Sequence, residues 1–378
     1  MTTTLLTGAT QLDERGEVAG AWVLLDGDTI ASTGSGPGAP DADETLDLHG
    51  ATLVPGFVDL HGHGGGGHAY DDGGDELAAA LAAHRAHGTT RALVSLVANP
   101  LAELRERLAE IAELAASDPL VLGSHLEGPF LATARRGAHN ADYLRPPDSA
   151  DIDGLVSAAG GTLRQLTLAP ELPGALDAIP QLVEAGVVVA VGHTEATAEQ
   201  TRAAFDAGAR LLTHAFNAMP GIHHRAPGPV VAALEDDRVT LELILDGEHV
   251  HGDVARLLLE QAPGRVALIT DAMAAAGADD GDYRLGSLNV SVRNGLAHLS
   301  GTSTIAGSTL TQDAALRIAL RIGLPAPAAV AALTAVPARA IGLGDRLGLI
   351  EPEYAADVVV LDDSHHVTAV WAAGSRLV

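Results

Sequence analysis

The chain has 378 residues, with 22 basic against 49 acidic side chains and a formal net charge of −27, a balance that excludes nucleic acid and anionic membrane surfaces as partners. Hydrophobic residues make up 47% and charged residues 19%, which fits a globular chain with an ample core and not a disordered one. Cysteine and lysine are both absent, so disulfides, thiolate ligands, Schiff-base lysines and a carbamylated-lysine metal bridge are ruled out. In chain order, the opening MTTTLLTGAT has neither a basic region nor a long apolar run, which predicts no signal peptide and a cytoplasmic protein. Residues 21–25 and 28–32 read as short strands before the Gly/Pro loop 34–40. From residue 52 onward the pattern becomes an alternation. Strands are predicted at 52–60, 90–97, 120–126, 163–169, 187–192, 209–214, 239–245 and 265–270, several as nearly continuous β-branched or leucine runs.

Helices are predicted between them. Residues 75–87 stop before Gly88, residues 101–116 stop before Asp118-Pro119, and Thr197-Ala-Glu-Gln200 reads as a capping box opening a helix that ends near Gly208. Eight strands with intervening helices predict a (β/α)8 TIM barrel; a doubly wound open sheet is the competing arrangement. Residues 282–299 read as an inserted hairpin turning at Asn294-Gly295. The tail, 357–361 and 367–377, returns to β character. The expected organisation is therefore a small β-sheet domain made by both termini (1–53 plus 345–378) beside a barrel spanning 54–344.

The polar residues fall at the predicted strand ends. The first strand runs into Asp59-Leu-His61-Gly-His63, whose two histidines project to one side of an extended chain and can converge on one ion. Later strands end in His125-Leu-Glu127, His193-Thr194, Thr213-His214 with Asn217 following, Asp246-Gly-Glu-His249 and Thr270-Asp271. On a parallel barrel all these ends share one face. Imidazoles with carboxylates suit Zn²⁺ or a similar first-row divalent metal. Each residue alone has a plainer reading as a core histidine or a helix cap; together at one face they make a site. His223, His224, His365 and His366 are expected on loops or the surface.

With those residues in view the chain resembles the amidohydrolase superfamily and, within it, the N-acetylglucosamine-6-phosphate deacetylases. The resemblance runs over essentially the whole chain. It is carried by Val54-Pro-Gly-Phe-Val-Asp-Leu-His-Gly-His63, His125-Leu-Glu-Gly-Pro-Phe130, Arg136-Gly-Ala-His-Asn140, Thr213-His-Ala-Phe-Asn-Ala-Met219 and Thr270-Asp-Ala272. It implies hydrolysis of the N-acetyl group of a small amino sugar phosphate, with one or two divalent ions, most simply Zn²⁺, per subunit. Glu127, His193 and His214 match the main metal position. His61 and His63 match a second, with Glu127 placed to bridge. Asp271 matches the catalytic aspartate. Ala138, His139, Asn217, Ala218, His249, Ile305, Ala306 and Gly307 match substrate-binding positions. Arg225 matches a phosphate-binding arginine that family homodimers supply across the subunit interface, and Arg135 or Arg136 is a further candidate for the phosphate. The same chemistry on N-acetylgalactosamine 6-phosphate is the alternative. A cyclic-imide hydrolase, a purine deaminase and a metal-binding regulator without catalysis fit the motifs less well.

Overall fold

The computed structural model describes residues 2–378. Eight strands form a parallel sheet in chain order: Phe57–Asp59, Thr89–Leu96, Val121–Glu127, Leu163–Leu168, Val188–Val191, Leu211–Leu212, Thr240–Ile244 and Val266–Ile269. Helices follow most of them and lie on the outside, so each strand is covered on both faces, as the apolar runs required; all eight residues of Thr89–Leu96 are buried. The outer helices begin and end where their local chemistry dictates. Thr197 and Gln200 form the reciprocal capping box at the start of Ala198–Ala207. Gly74–Ala86 ends ahead of Gly88 at φ +89°, and Leu101–Ser117 ends at Asp118.

Regular pairing is missing between the eighth strand and the first. The seam is closed at its upper end instead. Gly62 bridges Ala272, the His63 amide donates to the Ala272 carbonyl (2.7 Å), and the Asp271 amide donates to the His61 carbonyl (2.8 Å). Asp59 sits just below, accepting the Thr270 hydroxyl at 2.7 Å and the His61 amide at 3.3 Å. The sheet is thus a nearly closed barrel, and the closing bonds lie among the residues that carry the chemistry.

The strand predicted over 52–60 is two strands. Thr52–Pro55 pairs with Val358–Leu361 in the terminal sheet, while Phe57–Asp59 enters the barrel. The break is at Gly56, where a Cβ would lie 2.1 Å from the Thr90 hydroxyl. The terminal sheet runs Ser375–Arg376, Val367–Ala372, Val358–Leu361, Thr52–Pro55, Thr3–Asp13, Gly16–Asp26, Thr29–Ser35, with Glu44–Asp47 alongside Thr3–Asp13. It has its own apolar core, including Leu6, Val23, Ile30, Val358 and Trp371. A buried ion pair, Arg91 Nε to Asp357 Oδ2 at 2.5 Å and Nη2 to Oδ1 at 3.1 Å, ties it to the barrel.

The predicted hairpin at 282–299 is a three-stranded antiparallel sheet, Asp282–Leu285, Leu288–Arg293 and Leu296–Leu299. Asn294-Gly295 makes the second turn, with φ of +53° and +75°, as two consecutive left-handed residues should. The first turn, at Gly286-Ser287, is also two residues long, a Gly-Ser hairpin signal that the single-hairpin reading passed over. Among the described residues no helix is long and apolar enough to cross a membrane.

Candidate active site

The ends of the barrel strands bring the predicted residues together at one mouth. His61 and His63 follow the first strand, Glu127 ends the third, and His193, His214 and Asp271 follow the fifth, sixth and eighth. The last three take left-handed backbone conformations, with φ of +47°, +25° and +46°. Non-glycine residues pay strain there, and such strain concentrates at functional sites; here it marks where the chain leaves its strand and presents its side chain.

Glu127 is the hub. Its Oε1 lies 2.9 Å from His193 Nε2, 3.1 Å from His214 Nε2 and 3.4 Å from His61 Nε2. Its Oε2 lies 3.2 Å from both His63 Nε2 and His139 Nε2. Asp271 Oδ1 lies 3.4 Å from His63 Nε2 and 3.6 Å from His61 Nε2. All of these side chains are buried. His193 and His214 face each other with Nε2 atoms 3.0 Å apart, and His61 and His63 do the same at 3.1 Å. His193 Nδ1 donates to the Arg135 carbonyl at 2.8 Å, which points Nε2 inward at Glu127. Imidazole nitrogens packed this closely around one carboxylate need positive charge between them. The donor set of nitrogen and carboxylate oxygen fits a divalent first-row ion. Two overlapping groups have ligand atoms close enough to share one: His61, His63, Glu127 and Asp271, and Glu127, His139 and His193.

The same contacts set the charges of these groups. Burial alone would lower the His63 imidazolium, but Asp271 and Glu127 reverse this and raise it to about 9. Burial alone would raise Asp271, but His61 and His63 bring it down to about 2. Burial likewise opposes, and His61, His139 and His193 outweigh it, in holding Glu127 well below the carboxylate range.

Beside this cluster a cavity of about 360 Å³ opens, of ordinary small-ligand size. Its walls include Ala138, His139, Asn217, Ala218, His249, Asp271, Ile305 and Gly307. His249 is oriented by Asp246, whose Oδ2 lies 2.7 Å from its Nδ1. Burial would lower the His249 imidazolium, and Asp246 outweighs it and raises it.

Three further residues lie as follows. Ala306 does not line the cavity; its amide bonds the Ala297 carbonyl and its side chain is buried in the core of the inserted sheet. Arg225 is exposed on the loop after the sixth strand and does not line the cavity of its own chain. His125 lies below the mouth inside the barrel, bonded to Ser95 and Thr167 at 2.9 Å each. It sits two residues before Glu127, so both point inward at different depths. Of the arginine pair, Arg135 lines the cavity and Arg136 is exposed. His223, His224 and His366 are exposed and His365 is half-buried. Glycines 64–67 form a tight hairpin with His68–Ala69, turning at Gly66-Gly67 with φ of +63° and +95°; their amides bond Ala276 and Ala274 in the loop after the eighth strand. The residue that sequence reading missed is Glu242, fully buried beneath His61. Its signal was one acid inside the apolar run 239–245.

The amidohydrolase family model matches residues 52–377. The chain is 41% identical over 327 residues to an N-acetylgalactosamine-6-phosphate deacetylase of Escherichia coli O157:H7, covering 85% of this chain and 86% of that one. It is 35% identical over 349 residues to the N-acetylglucosamine-6-phosphate deacetylase of Bos taurus, covering 88% and 85%. A solved structure of N-acetyl-D-glucosamine-6-phosphate deacetylase from Mycobacterium smegmatis, in complex with N-acetyl-D-glucosamine-6-phosphate, is 46% identical over the full length of both chains, with a TM-score of 0.95.

Proposed function

The chain belongs to the amidohydrolase family, and from that premise we propose that it hydrolyses the N-acetyl group of N-acetyl-D-glucosamine 6-phosphate, releasing D-glucosamine 6-phosphate and acetate. One observation carries the reading: Asp271 stands beside a Glu127-centred cluster of histidines at the edge of a cavity sized for a sugar phosphate. Glu127, His193 and His214 would hold a first divalent ion, with Zn²⁺ the natural choice for these donors, and His61 and His63 with Glu127 and Asp271 a second. When bound, such an ion supplies Lewis acidity and a water nucleophile usable at neutral pH.

The remaining work falls to side chains. Asp271, ionised and close to the histidines, takes the proton of the attacking water and passes it to the departing nitrogen, since an amine leaves poorly unless protonated. Asp246 beside Nδ1 favours the His249 imidazolium, whose second N–H, on Nε2, faces the cavity and can donate to the acetyl carbonyl or a sugar oxygen. The backbone of Asn217, Ala218, Ala138, Ile305 and Gly307 walls the sugar, and His139 sits between that wall and Glu127. The phosphate requires cations in a strongly acidic protein. Arg135 supplies one from the same chain; Arg225, exposed on its loop, is the candidate to reach the neighbouring subunit's site in a homodimer. A cytoplasmic setting belongs to the same reading, because a sugar phosphate does not cross membranes unaided. So does the division into a terminal unit (1–53 with 345–378) and a catalytic unit (54–344).

The 41% identical relative supports a second reading, N-acetylgalactosamine 6-phosphate. The two sugars differ only at C4. The test is acetate release by purified protein with added Zn²⁺ from each sugar phosphate side by side. Faster release from the gluco substrate supports the first reading, faster release from the galacto epimer the second, and none from either removes both.

A further inference from the structure

The seventh barrel strand reads Thr-Leu-Glu-Leu-Ile, and Glu242 within it has no solvent exposure, as do Leu241, Leu243 and Ile244. An acid in such a place is costly unless its oxygens are used. Gln165 Nε2 donates to Oε1 at 2.6 Å, and Oε2 lies 3.3 Å from His61 Nδ1. The other nitrogen of His61 faces His63 Nε2 at 3.1 Å, Glu127 Oε1 at 3.4 Å and Asp271 Oδ1 at 3.6 Å. A neutral imidazole has one N–H and one lone pair. An acidic acceptor below His61 keeps the proton on Nδ1 and turns the lone pair of Nε2 up into the mouth.

The other rings differ. His193 is held by a neutral acceptor, the Arg135 carbonyl, while Nδ1 of His63 and of His214 has no hydrogen-bond partner among the described residues. Of the two opposed histidine pairs, then, the His61–His63 pair alone is backed by an acid. Carboxylate acceptors behind a ligating ring both orient it and increase its basicity.

We propose that Glu242 is a positioning residue for a second divalent ion at His61 and His63, fixing the His61 tautomer from beneath so that this chain binds two ions and not one. The proposal rests on the metal reading above and gives Glu242 a role that nothing in the reaction itself assigns. The decisive change is Glu242→Gln. With Gln165 donating to the remaining oxygen, the new NH₂ faces His61 Nδ1 and draws its lone pair, leaving the ring proton on Nε2, pointed into the mouth.

The experiment is Zn²⁺ titration of chelator-stripped protein by calorimetry, with metal content counted by mass spectrometry. The expected result is two ions per chain for the unsubstituted protein. Glu242→Gln should keep the first and bind the second about 10- to 100-fold more weakly. One ion in the unsubstituted protein, two unchanged affinities in the variant, or equal weakening of both ions overturns the proposal. Should the variant not fold, nitrogen-15 NMR of the Zn²⁺-loaded unsubstituted protein decides: a His61 protonated on Nδ1 supports it, and one protonated on Nε2 overturns it. Two bound ions without acetate release from either sugar phosphate would defeat the deacetylase reading and leave this one standing.

Discussion

At Asp271 the backbone turns left-handed directly after the eighth strand, its amide bonded to the His61 carbonyl and its carboxylate beside both histidines of that pair. The backbone bonds do not depend on the carboxylate, so Asp271→Asn should fold and retain the ion at Glu127, His193 and His214 while turnover falls about 10²- to 10⁴-fold. Circular dichroism, metal content and acetate release measure the three parts, and near-native turnover would remove Asp271 from the mechanism. Arg225 touches nothing in its own cavity. Arg225→Ala should therefore raise KM for the phosphorylated sugar without loosening the fold. Equal use of unphosphorylated N-acetylglucosamine before and after the change would show that the phosphate is held elsewhere. Single residues were legible at this scale wherever two apart meant the same side, as in His61 and His63. Glu242 was not, because an acid in an apolar strand has no local reason to be there; its partners come from the first and fourth strands.

Gly56 decides where the terminal sheet stops and the barrel starts. A methyl group there meets the Thr90 hydroxyl at 2.1 Å and its Cγ2 at 2.5 Å. Gly56→Ala should cost at least about 1–3 kcal/mol by overpacking, read as a lower urea midpoint. The break was invisible in the sequence because both halves are apolar and extended. The helix Gln312–Arg321 carries a pH-dependent contact in its first turn. Asp313 accepts the Thr311 hydroxyl at 2.6 Å and Arg317 at 2.7 Å, and lies 3.1 Å from His87 Nδ1. Burial would raise its pKa, but these partners outweigh burial and hold it well below the carboxylate range. A folded value depressed below the unfolded one, about 3.9, stabilises fully above that pH and ceases to do so as pH falls through the folded value. Asp313→Asn should thus destabilise by about 1–3 kcal/mol at pH 7. The gap between variant and parent should close as urea midpoints are taken below about pH 4; a gap constant down to pH 3 would contradict the assignment.

Across the whole molecule, one face of the terminal sheet has its own core while Leu12, Val54, Val359, Leu361 and Val370 join the barrel's, and two ion pairs cross the boundary, Arg91–Asp357 nearly buried and Arg339–Glu14 more exposed. Asp357→Ala leaves a nearly buried guanidinium unpaired, which typically costs about 3–5 kcal/mol. Chemical denaturation should register that loss, and a change under about 1 kcal/mol would show that solvent or Pro119 satisfies Arg91 alone. The net charge of −27 opposes any anionic ligand at long range. Recognition of a sugar phosphate must then come from a few short-range cations, the part proposed above for Arg135 and Arg225.

The order of strands and helices, the capping at Thr197 and the gathering of ligand-type residues at strand ends were all written in the chain, because periodicity and caps are local and a parallel barrel puts every strand end on one face. Tertiary structure alone decided which inward residues meet at which depth. His125 falls below the mouth while Glu127, two residues on, becomes its hub; the seam closes through Asp59 and Thr270, 211 residues apart; Ala306 turns into a neighbouring core. Those outcomes depend on the stagger between strands far apart in sequence, and no local pattern encodes stagger.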